Sequence, residues 1–185
     1  MNQVANQVDI SKALTIPGWM SERELTWLAM RAQECNIIVE FGSFYGRSTR
    51  ALADNTDGVV YAVDPWNGDY PDESGVALKA VNTYVMPQFV RNLEDHIAND
   101  KVFPVRGYSF NFVMKCSVDM VFIDGDHRYE SVKKDILKAQ ELLRDGGIIC
   151  GHDYNHPLWT GVNKAVHELL GKVQVEDTIW WKVKY

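Results

Sequence analysis

Apolar and polar positions follow two rhythms along the chain. Five short runs, "NIIVEFG" (36–42), "GVVYAVD" (58–64), "KVFPVRG" (101–107), "VDMVFIDG" (118–125) and "GGIICGHD" (146–153), are apolar on both faces. Runs of that length predict strands of a parallel sheet covered by helices on both sides. Between them the period changes to that of a helix. "GRSTRALADN" reads as a short helix, and "ESVKKDILKAQELLRDGG" lines up Val132, Ile136, Ala139 and Leu143 on one stripe, with a stop at Asp145 and Gly146. "TGVNKAVHELLG" repeats the stripe with Val162, Val166 and Leu169, and "KVQVEDTIWWKVKY" closes the chain as an antiparallel pair at the sheet edge. The pattern predicts an α/β fold: a Rossmann-like doubly wound sheet, mostly parallel, with an antiparallel C-terminal hairpin.

Two segments stand outside this rhythm. Residues 1–19 are polar and irregular up to Pro17-Gly18-Trp19, and a helix is expected from Ser21 to Glu34. Residues 65–99 form a long crossover that opens on the turn formers "PWNGDYPDES", with a helix expected over roughly 76–98. We therefore expect one domain over 1–185, made of an N-terminal segment and helix (1–35) and a core (36–185). Neither repeats nor low-complexity tracts interrupt it.

Composition narrows the function classes. The 185 residues are 46% hydrophobic and 24% charged, and the net charge of -6 disfavours a nucleic-acid surface, which needs a basic field. Cys35, Cys116 and Cys150 are odd in number and lack CxxC spacing, so they read as small buried hydrophobes rather than a zinc knuckle or a disulfide framework. "MNQVANQVDISKAL" has neither the basic start nor the apolar centre of a signal peptide, and no apolar run reaches the ~18 residues of a membrane span. A cytoplasmic protein with no membrane partner is expected.

Candidate chemistry collects where strands run out. Glu40 ends the first, Asp64 the second, Ser109 follows the third, Asp124, Asp126 and His127 the fourth, His152 and Asp153 the fifth. In a parallel sheet these ends share one rim, where ligands bind. Any one of these residues could cap a helix or form a turn; the full set points to a site. After Glu40 the loop carries Gly42 and Gly46, which let a backbone approach a ligand closely. Its spacing is E-x-G-x-x-x-G rather than the pyrophosphate-binding G-x-G-x-x-G, and it has no Walker lysine. A nucleoside without a diphosphate fits better, with Asp64 about 20 residues on, where an acidic residue takes ribose hydroxyls.

"VEFGSFYGRST", "VYAVDPW", "VFIDGDHRYESVKKDI" and "LLRDGGIICGHDYNHPLWTGVNKAV", in this order, resemble successive motifs of the class I S-adenosylmethionine-dependent methyltransferases. They are most similar to the small-molecule O-methyltransferases of the catechol O-methyltransferase type and the sugar and antibiotic-tailoring group, over about 36–170. The resemblance implies S-adenosyl-L-methionine as cofactor. Glu40, Gly42, Ser43 and Gly46 would shape the pocket for its methionine part, with Ser48 at the helix start, Asp64 on the ribose and Ser109 by the adenine. Asp124 would lie beside the cofactor and, in metal-dependent members, bind Mg²⁺. The pair after the fifth strand supplies further metal ligands in those members. Here that pair is His152-Asp153, which departs from two oxygen ligands, so Mg²⁺ and a more imidazole-tolerant divalent metal both stay open.

The resemblance also makes His127 the catalytic base, three residues past Asp124, with a small-molecule hydroxyl as substrate. The bland alternative is that His127 caps the next helix or pairs with Asp126. His96 and His167 read as solvated and His156 as an exposed loop residue, while Trp66, Tyr70 and Trp159 stand on rim loops as a candidate aromatic wall. Trp180 and Trp181 read as packing, with a homo-oligomer face as a further option. Two other function classes remain: a metal-dependent hydrolase using "DGDH" and "GHD", and a cofactor-binding protein without transfer activity.

Overall fold

The computed structural model describes residues 7–67 and 85–185. Helices α1 (Ser11–Thr15) and α2 (Glu22–Ala32) precede the core. Strands and helices then alternate: β1 (Ile37–Phe41), α3 (Arg47–Asn55), β2 (Val59–Asp64), α4 (Val85–Asn92), α5 (Glu94–Ala98), β3 (Val102–Arg106), β4 (Val118–Ile123), α6 (Tyr129–Leu142), β5 (Leu143–Gly151) and α7 (Thr160–Leu170). The hairpin β6 (Gln174–Glu176) and β7 (Ile179–Val183) ends the chain. The seven strands form one sheet in the order β3-β2-β1-β4-β5-β7-β6. Pairings among β1 to β5 are parallel, and both pairings of β7 are antiparallel.

Side-chain alternation explains the two-sided core. In β4, Met120 and Phe122 pack with Leu25, Leu28, Leu52 and Phe89, on the side of α2, α3 and α4. Val121 and Ile123 pack with Ile136, Ala139, Val162 and Val166, on the side of α6 and α7. The hairpin behaves likewise: Ile179 joins the first cluster and Trp180 the second. Both faces of every central strand are thus removed from water, the condition that its apolar sequence requires.

Several local expectations change. α6 stops at Leu142 rather than at Asp145, because Leu143 already pairs with Val118 in the sheet. Trp66 is not part of a solvent-facing wall: it is buried, donates Nε1 to the Phe44 carbonyl (3.0 Å) and packs on Phe89. His96 is not solvated, since its Nε2 lies 2.7 Å from Asp54 Oδ1. Cys116 is exposed, unlike buried Cys35 and Cys150, whose thiols burial pushes well above the usual range. Tyr70 and the 76–84 part of the helix expected over 76–98 lie outside the described residues, and the rest of it is divided between α4 and α5.

Candidate active site

Register brings the strand ends level. Phe41 pairs with Ile123, and Ile123 with Gly151, so Gly42, Asp124 and His152 leave the sheet side by side. Two further amides extend the ladder past the strands: Asp124 N–H donates to the Phe41 carbonyl (2.8 Å) and His152 N–H to the Ile123 carbonyl (3.0 Å). The winding reverses between β1 and β4, the position where open α/β sheets leave a crevice.

Four titratable side chains converge there. His127 Nε2 is 2.7 Å from Asp153 Oδ2 and 3.9 Å from Asp124 Oδ1. The short contact lies off the N–H direction, so it is a charge contact rather than a directed hydrogen bond. His152 Nδ1 is 3.3 Å from Asp153 Oδ2 and 3.5 Å from Asp124 Oδ1, while its Nε2 pairs with Glu24 Oε1 at 3.0 Å. Asp153 reaches into the cluster from a left-handed backbone, φ 61°, a conformation that aspartate tolerates better than most residues. Trp159 stacks on the His127 ring, centroids 4.6 Å apart, and His156 stacks on Trp159 in turn.

Burial opposes charge on both histidines, but the two carboxylates outweigh it, lifting His127 to about 9 and His152 to about 12. For Asp124 and Asp153 burial likewise works against ionisation, and the imidazoles overcome it and hold both carboxyls below the usual range. A small void of about 10 Å³ is lined by Asp124, His127 and His152 of the cluster together with Val132, Val162 and Trp180. It has room for about one water, so a ligand reaches these groups from the rim.

The donor set fits a divalent cation. One atom each from Asp124, His152 and Asp153 lie within 4.8 Å of one another. Ligands on a common ion at ~2.1 Å sit roughly 3 to 3.5 Å apart, close to the separations from His152 Nδ1. One nitrogen and two carboxylates suit Mn²⁺, Fe²⁺ or Zn²⁺ and admit Mg²⁺ less readily.

On the β1 side, Glu40 is fully buried and Thr49 Oγ1 donates to its Oε2, whereas its Oε1 and the buried Ser43 Oγ find no hydrogen-bond partner among the described residues. Burial lifts Glu40 to about 7 against the opposing hydroxyls of Ser43, Ser48 and Thr49. Asp64 organises the neighbouring loop: Oδ2 accepts from the amides of Ser43 (2.8 Å) and Phe44 (3.0 Å), and Oδ1 from that of Trp66 (2.6 Å). Ser109 Oγ donates to buried Asp135, whose carboxyl burial pushes up to about 7.

The protein's own packing requires glycine at both positions of the β1–α3 loop. A Cβ on Gly42 (φ 90°) would stand 2.2 Å from the Asp124 carbonyl oxygen, and one on Gly46 (φ 88°) 2.4 Å from Leu93 Cδ2. Both spaces are filled by the protein itself. Asp126, in turn, pairs with Arg128 and Ser131 and anchors the start of α6. It does not pair with His127.

Glu24, Thr178 and Asp135 are participants that sequence reasoning missed. For Glu24 a signal existed: Ser21-x-x-Glu24 is a capping-box pattern, although nothing in it points to a histidine 128 residues away. The described residues also carry a groove of about 660 Å³ between α2 and β6, lined by Glu22, Arg23, Trp27, Met30 and Glu176. It contains no cluster of catalytic groups, so the smaller rim site remains the candidate.

A family model described as "Methyltransferase domain" matches residues 39–154. The chain belongs to this family. The matched span of this methyltransferase holds Glu40, Asp64, Ser109 and the whole Asp124–His127–His152–Asp153 cluster. A curated relative, an uncharacterized protein of Acanthamoeba polyphaga mimivirus, is 25% identical over 138 residues, 74% of this chain; the match covers 60% of the relative's length. Among solved structures, the calicheamicin methyltransferase CalS11 superposes with TM-score 0.69 at 16% identity, covering 87% of this chain and 77% of its own. TomG, an O-methyltransferase from Streptomyces achromogenes solved with S-adenosylmethionine, gives 0.65 at 17%, covering 100% and 92%. PaMTH1 from Podospora anserina, solved with S-adenosylhomocysteine, gives 0.65 at 16%, covering 90% and 80%. At these identities the likeness shows the fold alone, a Rossmann-like sheet shared with these methyltransferases.

Proposed function

We propose that this methyltransferase moves the methyl group of S-adenosyl-L-methionine to a hydroxyl oxygen of a small molecule, a sugar, phenol or secondary metabolite. Asp124, Asp153 and His152 would hold a divalent cation. One observation carries the reading: a histidine, His127, stands at the rim with its imidazole against Asp153 and stacked on Trp159.

The chemistry follows from these placements. Bound S-adenosylmethionine would supply a methyl carbon activated by its sulfonium: the C–O bond to the acceptor would form as the C–S bond breaks, with S-adenosylhomocysteine as the leaving group. His127 takes the hydroxyl proton, a role for which a neutral imidazole is suited. Trp159 restricts the ring to one plane, and much of the rate comes from such positioning. Glu40 would turn its Oε1 toward the positive charge of the cofactor, Asp64 would take the ribose hydroxyls, and Ser109 would lie by the adenine. A bound cation would supply Lewis acidity that lowers the pKa of the substrate hydroxyl. The hydrolase alternative needs two cations about 3.5–4 Å apart, and among the described residues one group of three ligands is present.

The test is release of S-adenosylhomocysteine from S-adenosylmethionine with a panel of sugars and catechols, with Mn²⁺ or Mg²⁺ and again with EDTA. We expect turnover on at least one hydroxylated acceptor, with formation of its methyl ether. Methylation confined to nitrogen acceptors, or hydrolysis of phosphate esters in place of methylation, would overturn the reading.

A further inference from the structure

Glu24 and Thr178 lie outside the residues matched by the family model, yet Glu24 touches the site within it and Thr178 touches Glu24. The two oxygens of Glu24 have separate tasks. Oε2 accepts from the Ser21 amide (2.8 Å) and completes the cap of α2, with Ser21 Oγ accepting from the Glu24 amide (3.3 Å). Oε1 accepts from Thr178 Oγ1 on the hairpin and faces His152 Nε2 at 3.0 Å. A cap is made equally well by a carboxylate at the surface, but this one is buried, 3% exposed. Capping alone does not explain why it is taken out of water.

We propose that Glu24 is a positioning residue: by accepting the Nε2–H of His152 it fixes the ring so that Nδ1 faces Asp124 and Asp153. A carboxylate oxygen only accepts, so His152 presents a proton at Nε2, and Nδ1 is the atom left for the rim. The arrangement is the carboxylate–histidine support that orients an imidazole ligand for a metal. Its chemical purpose rests on the cation reading above, whereas its geometry does not. The N-terminal helix and the C-terminal hairpin thereby become parts of the site.

The test combines ¹⁵N-resolved imidazole NMR of His152 with Mn²⁺ titration, on wild type, Glu24→Ala, Glu24→Gln and Ser21→Ala. In wild type the Nε2 proton should be visible and slow to exchange; an unprotonated Nε2 overturns the proposal without any variant. Glu24→Ala should lose that signal and bind Mn²⁺ roughly 10- to 100-fold more weakly. Glu24→Gln, whose carbonyl still accepts, should recover part of both. Ser21→Ala removes the hydroxyl half of the cap, keeps the amide that Glu24 Oε2 accepts from and leaves the His152 contact, so both readouts should stay near wild type. An unchanged signal in folded Glu24→Ala, or an equal loss in Ser21→Ala, would reduce Glu24 to a helix cap. Absence of Mn²⁺ binding by wild type overturns the cation reading alone, and the Nε2 proton still decides for or against Glu24.

Discussion

His127 Nε2 lies 2.7 Å from Asp153 Oδ2, although the two residues belong to the ends of different strands. Asp153 reaches that position only by taking a left-handed backbone, φ 61°. A strained conformation of this kind costs on the order of 1 kcal/mol or more and clusters at functional sites.

Replacing His127 with Asn removes the proposed base and keeps a polar side chain of modest size. We expect kcat to fall by roughly 10²- to 10⁴-fold, with cofactor affinity changed less than about threefold because His127 is not placed on the cofactor. Steady-state kinetics and calorimetry on the same preparation check this. A variant with near-normal kcat would leave positioning as the whole mechanism.

The pH–rate profile follows from the same contact. With Asp124 and Asp153 overcoming burial to lift His127 to about 9, the imidazole is protonated at neutral pH, and a base must be neutral. Without a divalent cation, kcat should therefore rise with pH toward about 9. Mn²⁺ on the two carboxylates would cancel the charge that holds the proton, and the rising limb should move to lower pH. A limb unaffected by Mn²⁺ and centred near the ordinary histidine value would contradict this.

Stability of the cofactor-free protein should fall as pH rises from about 5 to 8. Burial lifts Glu40 from 4.5 to about 7 and Asp135 from 3.8 to about 7, so the folded state holds protons that the unfolded chain has released. The contribution of His127, whose folded pKa is also raised, is complete below 6.5 and is lost through about 9. Glu24 acts oppositely: burial resists its ionisation, His152 and Thr178 overcome that and bring it to about 2, so its contribution holds above 4.5 and disappears as pH falls toward 2. Glu40→Gln should flatten the decline by on the order of 1 to 3 kcal/mol. Thermal denaturation across pH measures it; a midpoint that climbs from pH 5 to 8 would refute the assignment.

Gly42→Ala should be severe. Its Cβ would meet the Asp124 carbonyl at 2.2 Å with the backbone at φ +90°, for a loss of about 2–4 kcal/mol. Gly107→Ala, where nothing lies within 4 Å, should change stability by about 0.5 kcal/mol or less. Equal midpoints for the two variants in urea would count against this packing account.

Much of the architecture was legible because its signals are local. Five two-faced apolar runs and two helical stripes announced the parallel sheet, and the strand-end positions of Glu40, Asp64, Asp124, His127, His152 and Asp153 announced the rim. What stayed hidden depends on contacts between distant residues. The Gly42 pattern looks the same whether the space beside it holds a ligand or the Asp124 backbone, and only the register of β1 on β4 decides. Trp66 reads as a rim aromatic until Phe89 is seen against it. The Glu24–His152 contact joins helix to strand end across 128 residues, beyond the reach of any periodicity.

A buried cation outside the site was equally hidden. Arg50, 4% exposed, meets Asp54 at 2.8 Å and Asp95 at 2.6 Å, tying α3 to α5. Arg50→Ala would leave Asp54 buried without its guanidinium, at a cost of about 3 kcal/mol. Urea denaturation checks this, and a midpoint unchanged from wild type would show that His96 alone suffices for Asp54.

The most direct test of the central claim is calorimetric titration of S-adenosylmethionine and S-adenosylhomocysteine into the purified protein, with Mn²⁺ and again with EDTA. One micromolar site is expected for each, present under both conditions, since in the proposed mode Glu40, Asp64 and Ser109 rather than the cation site would receive the cofactor. A folded protein that binds neither ligand under either condition would contradict it.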